Sequence, residues 1–217
     1  MMSDALFRFR MLGTRVEIGW TAVLLMVWIA TMTANAGWGR VILHTLVILG
    51  SILVHEQGHA LVGRALGLRV QRIVLHGMGG LCQYDRAPHD REGLLTSLAG
   101  PLAGLGLAAL SWGLILGTGG GTGAEAIDDV LYLSLWINLV WSLFNLVPMY
   151  PLDGGQALFY GLRIGLGPGR KALELTRWIS IGTAAAVGLY SFVVWGLLIV
   201  PLIAAFSAYQ SWKMGRG

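Results

Sequence analysis

The 217 residues are 55% hydrophobic and only 12% charged, with a single cysteine and a formal net charge of +4. A soluble domain of this size carries about twice that charged fraction, so the composition is that of an integral membrane protein. Its basic residues do not gather on one amphipathic face, which argues against nucleic acid as a partner, and the lone Cys82 excludes an internal disulfide and a cysteine-built zinc site.

Met1–Trp20 has a long basic stretch and no small-residue cleavage site, so the run after it is expected to be a retained span, not a removed signal peptide. Within it, Phe7–Ile18 alternates polar and apolar residues around a glycine, the pattern of a short interfacial strand or hairpin. Apolar runs predict spans at about 19–36, 40–64, 92–116 and 130–150. Leu68–Tyr84 lies between the second and third, and its two β-prone halves around His76-Gly77-Met78-Gly79-Gly80 predict a β-hairpin. Gln156–Gly165 reads as a short interfacial helix ahead of Gly167-Pro168-Gly169.

Trp178–Gln210 has no charged residue and is too long for one ordinary span of about 20 residues. Bare hydropathy fits two spans with a turn near Gly188–Ser191, or one long tilted helix. Charge bias selects two. Arginines and lysines cluster at Arg8–Arg15, Arg64–Arg91, Arg163–Arg177 and Lys213–Arg216, and the Thr118–Asp129 loop has none. The positive-inside rule then gives spans at about 171–188 and 192–210, with both termini cytoplasmic. Only Arg40 falls on the wrong side. The expected fold is an all-α polytopic membrane protein of six transmembrane helices with a membrane-associated hairpin, one domain over residues 1–217.

Inside the second span stands His55-Glu56-Gln57-Gly58-His59, an HExxH pattern in a strongly apolar run. Positions i and i+4 of a helix share a face, so both imidazoles can reach one zinc, with Glu56 beside it to take a proton from water. Ionisable groups at membrane depth cost roughly 2.5–3.5 kcal/mol each on insertion scales. Three in five residues need a collective reason, and a metal is the natural one.

A zinc site of this type takes a third protein ligand and keeps the fourth position for water. His44 is about 16 Å up the helix from His55 and cannot share the ion. His76, His89 and Asp153 remain as candidates. Asp153 is the best placed, because the charge assignment puts it at the same cytoplasmic depth as HExxH. Its alternative role is an N-cap for the helix after it.

His55–His59 followed much later by Asn145-Leu146-Val147-Pro148-Met149-Tyr150-Pro151-Leu152-Asp153-Gly154-Gly155 resembles the site-2 protease family of intramembrane metalloproteases. Ala99-Gly100-Pro101 and the Gly79-Gly80 hairpin are similar to that family as well. The resemblance implies one zinc per chain held by His55, His59 and Asp153, Glu56 as general base, and Asn145 holding the substrate or the oxyanion. It also implies that the hairpin offers an edge to an extended substrate. Gly100 and Gly104 have a reading of their own as a small-xxx-small helix-packing face. Family members carry a polar residue around position 104, and no role transfers to the glycine here. The length leaves no room for an added PDZ or CBS domain, so a minimal core is expected.

The expected activity is zinc-dependent hydrolysis of a peptide bond within or near a transmembrane segment of a membrane-protein substrate. The expected setting is a prokaryotic cytoplasmic membrane, with the active site opening to the cytoplasm. Besides the substrate and the lipid bilayer, a regulatory membrane partner or a second copy of the chain would have to supply any gating. Two other readings compete. A metal-ion transporter would use the intramembrane His, Glu and Asp groups as a transit site, but the chain shows no inverted repeat. A non-catalytic scaffold for client helices would tolerate loss of Glu56.

Overall fold

The computed structural model describes residues 5–33, 37–77, 79–196 and 199–214. In chain order they form β1 (Ala5–Met11), β2 (Thr14–Gly19), α1 (Ala22–Thr33), α2 (Trp38–Ala65), β3 (Val70–His76) and β4 (Gly79–Tyr84). There follow α3 (Asp90–Gly117), α4 (Glu125–Asn145), α5 (Asp153–Leu166), α6 (Arg170–Trp195) and α7 (Ile199–Lys213). Met78 of the expected hairpin turn, Ala36 at the end of the expected first span and Arg216 of the tail lie outside the described residues.

The protein is mostly helical, and among the described residues four helices are long and apolar enough to cross a membrane: Trp38–Ala65, Asp90–Gly117, Glu125–Asn145 and Arg170–Val194. Large apolar side chains such as Leu46, Leu102, Leu110, Val140 and Leu189 stand outward on them, as suits a hydrocarbon solvent. Helices also occupy the first and sixth expected spans, but over the described residues α1 has 12 residues and α7 has 15. At 1.5 Å per residue they rise about 18 and 22 Å, short of a ~30 Å hydrocarbon layer.

Three boundaries differ from expectation. α4 stops at Asn145 and not near residue 150, because Pro148 and Pro151 disfavour helix in the residues before them. α5 is longer than expected and starts at Asp153. The final apolar stretch does break into two helices, but at Gly196 and not at Gly188–Ser191. Gly196 has φ 62°, a left-handed C-cap that suits glycine.

The chain packs as two compact units. One comprises the chain up to Ala87 with Ala99–Ser142, and the other comprises Pro88–Leu98 with the chain from Leu143.

The first unit holds a four-stranded sheet in the order β1-β2-β3-β4. Both hairpins are antiparallel, and a short parallel pairing of Val16, Glu17 and Ile18 with Ile73, Val74 and Leu75 joins them. Val16, Ile73 and Leu75 bury one face of the sheet against Ile52 and Ala60 of α2. Glu17, 1% exposed, is held by Arg15 and Arg72, each at 2.8 Å. The expected short hairpin is thus half of a larger mixed sheet.

α2 and α4 run side by side in this unit. Arg40, the exception to the charge pattern, pairs at the start of α2 with Glu125 and with Asp129 (2.9 Å) at the start of α4. Further along, Asn138 Nδ2 donates to Ser51 Oγ at 2.8 Å. Ser111 Oγ of α3 donates to Ser134 Oγ of α4 at 3.1 Å. Gly104 lets α3 approach closely, since a Cβ there would stand 2.2 Å from Ser142 Oγ. That is the small-residue packing expected for this glycine.

The second unit is built on α5–α7. Met149, Ala184 and Ala204 form its core with Phe144, Val147, Leu152 and Ala208. Arg163 of α5 pairs with Asp90 at 2.7 Å.

Candidate metal centre

HExxH folds as a buried turn of α2. His55 is 3% exposed, Glu56 5% and His59 8%. The four-residue spacing brings His55 Nε2 and His59 Nε2 to 3.2 Å from each other. Two nitrogens bound to a tetrahedral zinc at ~2.0–2.1 Å stand about that far apart, so the pair fits the ion. The rings meet edge to face, with centroids 4.9 Å apart. Both nitrogens thus point into one shared space.

Two glycines keep that space clear. A Cβ on Gly100 of α3 would stand 2.2 Å from His59 Nε2 and 2.7 Å from His55 Nε2. A Cβ on Gly80 of β4 would stand 2.3 Å from Glu56 Cγ and 2.6 Å from its Oε1. α3 therefore walls the imidazole pair with bare backbone, and β4 passes equally close over the carboxylate. Gly100 is a site residue that sequence reasoning assigned to helix packing alone. The Ala-Gly-Pro motif was its only signal. Gly58, inside HExxH, completes the fit: a Cβ there would meet Ala99 O at 2.5 Å.

β4 is fastened to α2 beyond this contact. Tyr84 Oη donates to the His59 carbonyl at 3.0 Å, and its ring lies over Gly63, where a Cβ would be 2.6 Å from Cε1. Cys82 lies between them on β4. Burial pushes its thiol up to about 12; the hydrogen bond with Tyr84 pulls the other way, and Glu56 nearby adds to the rise. Its side chain packs against the core between the sheet and α2. On one side β4 pairs with β3, and among the described residues it is an end strand of the sheet, with no further strand on the other side.

The remaining candidates fall as follows. His44 is half-buried on α2. His76 closes β3, where burial lowers its pKa. His89 is exposed, and its backbone N–H donates to Glu92 at 2.8 Å at the start of α3.

In the second unit, Asp153 is the first residue of α5 and is buried. The N-cap is Leu152, which makes no side-chain capping bond, so capping does not account for the aspartate. Gly154 and Gly155 let the first turn of α5 lie on the chain before it. A Cβ would meet Leu146 O at 2.1 Å from Gly154, and Tyr150 N at 2.3 Å from Gly155. The PLDGG stretch is thereby folded back tightly on the segment that follows Asn145. Asn145 itself is buried at the last position of α4.

Residues 43–129 match the family model described as peptidase family M50. Rip3 of Mycobacterium tuberculosis is 31% identical over 219 aligned positions, covering 91% of this chain and 54% of that protein. A zinc metalloprotease of Methanocaldococcus jannaschii is 29% identical over 164 residues, covering 72% of this chain and 45% of that one. The chain thus spans about half the length of these curated relatives. In fold it is similar to the solved site-2 protease from Methanocaldococcus jannaschii. The TM-score is 0.66 at 22% identity, over 97% of this chain and 95% of that one.

Proposed function

From the match of residues 43–129 to the model of peptidase family M50, we propose that the chain is an intramembrane zinc metallopeptidase. It hydrolyses a peptide bond within or near a transmembrane segment of another membrane protein. The observation that carries this reading is the buried pair of imidazole nitrogens 3.2 Å apart, with a buried glutamate next to His55 in sequence.

One zinc per chain would be held by His55 Nε2, His59 Nε2 and a carboxylate oxygen of Asp153, each residue offering one donor atom. Zinc so bound supplies a Lewis acid and lowers the pKa of water toward ~7. The Glu56 carboxylate accepts the proton of the attacking water and then passes it to the leaving amine. Its burial keeps that proton from exchanging freely with bulk water. Asn145 Nδ2 donates a hydrogen bond to the substrate carbonyl, strongest as the oxygen becomes negative.

A transmembrane helix has its backbone bonds satisfied internally, so the substrate must unwind before attack. The free edge of β4, which passes over Glu56 at Gly80, takes the unwound segment as an added strand and offsets part of that cost. By the distribution of arginines and lysines, this end of α2 faces the cytoplasm.

The test is cleavage of a labelled single-span substrate by the whole chain in detergent. A zinc chelator should abolish cleavage and added zinc should restore it. Cleavage that survives complete removal of zinc sinks the reading. Zinc flux across a vesicle membrane without any cleavage would favour the transporter.

A further inference from the structure

Gln57 is one of the two variable residues of HExxH, yet its side chain is 3% exposed. It lies about 200° around the helix from His55, so it has no access to the metal face. Its side-chain amide Nε2 donates to the Met11 carbonyl at 3.2 Å. Two turns further along α2, Arg64 Nη1 donates to the Leu12 carbonyl at 2.7 Å and to Thr14 Oγ1 at 3.0 Å. Both residues of α2 therefore grip one feature, the two-residue turn between β1 and β2.

That turn is strained. Leu12 has φ 48° and Gly13 φ 76°. A turn with both central residues at positive φ normally takes Asn-Gly or Gly-Gly, and a leucine in the left-handed region costs about 1–2 kcal/mol. Such a residue persists where its surroundings over-determine it. Here the carbonyls on and before Leu12 are fixed by Gln57 and Arg64. Gly13 is equally confined, since a Cβ would stand 3.2 Å from Arg64 Nη1.

The sheet transmits this anchorage. β1 and β2 are continuous through β3 to β4, whose Gly80 lies on Glu56 and whose Tyr84 bonds the His59 carbonyl. The sheet is thus tied to α2 at the β1–β2 turn and again at β4. We propose that Gln57 and Arg64 are positioning residues: by clamping the β1–β2 turn to α2, they hold the β4 edge at its working height over Glu56. This rests on the reading of β4 as the substrate-binding edge. One turn of α2 then serves two tasks, metal chemistry on one side and placement of the substrate strand on the other.

The test uses the whole chain in detergent, as wild type, Gln57→Leu, the Gln57→Leu/Arg64→Met double variant and Arg64→Lys. Hydrogen exchange is followed over β1–β4 and over the His55–His59 segment, together with bound zinc, KM and kcat. In the double variant the β1–β2 turn and β4 should exchange about tenfold faster or more, and KM should rise about tenfold, the size of one hydrogen bond to a charged group. The His55–His59 segment, zinc content and kcat should change little. Gln57→Leu should show a smaller loss in the same direction, and Arg64→Lys should keep most of the protection.

Unchanged exchange in β4 overturns the proposal. So does loss of zinc and kcat with KM unmoved, which would make the pair a support for the metal turn alone. If the wild type cleaves nothing, the peptidase reading has failed, and the exchange and zinc measurements still decide whether the clamp holds β4.

Discussion

Gly100 stands directly against His59: a Cβ built on the glycine would lie 2.2 Å from the Nε2 atom of the histidine. No other residue type leaves the two imidazole nitrogens clear without moving α3 or the rings. In an ordinary helix interior, alanine is favoured over glycine by roughly 0.5–1 kcal/mol. Here Gly100→Ala should lower zinc affinity by about tenfold or more, as loss of ligand placement does elsewhere, while helix content is retained. Gly106 is the control on the same helix, since a Cβ there meets nothing within 4 Å. Zinc analysis with circular dichroism decides it. Equal zinc content in both variants would show that Gly100 is ordinary packing.

Asn138 ties α4 to α2 one turn before His55. Its Nδ2 donates to Ser51 Oγ and to the Ser134 carbonyl, both at 2.8 Å. Interhelical hydrogen bonds in membranes are worth ~0.6 kcal/mol on average and reach about 1.7. A double-mutant cycle of Ser51→Ala with Asn138→Ala should give a coupling in that range by denaturation in mixed micelles. Coupling indistinguishable from zero would mean that packing alone joins the helices.

Cys82 should resist thiol reagents. With its thiol pushed up to about 12, it is protonated at neutral pH, and only the thiolate attacks. Maleimide labelling at pH 7.5 should be more than about a hundredfold slower than for an exposed thiol of ordinary pKa near 8.5. The rate should keep rising with pH instead of levelling off near 9, and labelling should become fast on unfolding. Rapid labelling of the folded chain would show that β4 lifts off α2 readily.

The metal helix was legible because its signal is local. An HExxH spacing on a continuous apolar run places both imidazoles on one face whatever the rest of the chain does. Both hairpins were legible for the same reason, from alternation around a glycine turn. What escaped were features made by crossings between distant segments. Val16–Ile18 pairs with Ile73–Leu75 across more than fifty residues, and nothing in either strand announces the other. Gly100 and Gly104 share one helix and one spacing pattern. Only the structure shows that the first faces the histidines and the second faces Ser142. The late end assigned to α4 is different in kind. Pro148 and Pro151 interrupt a run whose apolar continuity by itself predicts helix, and the backbone limits of proline prevail.

The proposed role of Glu56 is to move the proton, not merely to sit beside the metal. The most direct measurement compares wild type with Glu56→Gln on a labelled single-span substrate, counting bound zinc in both. Removal of a general base costs about 10²–10⁴-fold in rate. A loss of that size is expected in Glu56→Gln, with one zinc per chain retained and the fold unchanged. Cleavage by Glu56→Gln at close to the wild-type rate, with zinc in place, would contradict it.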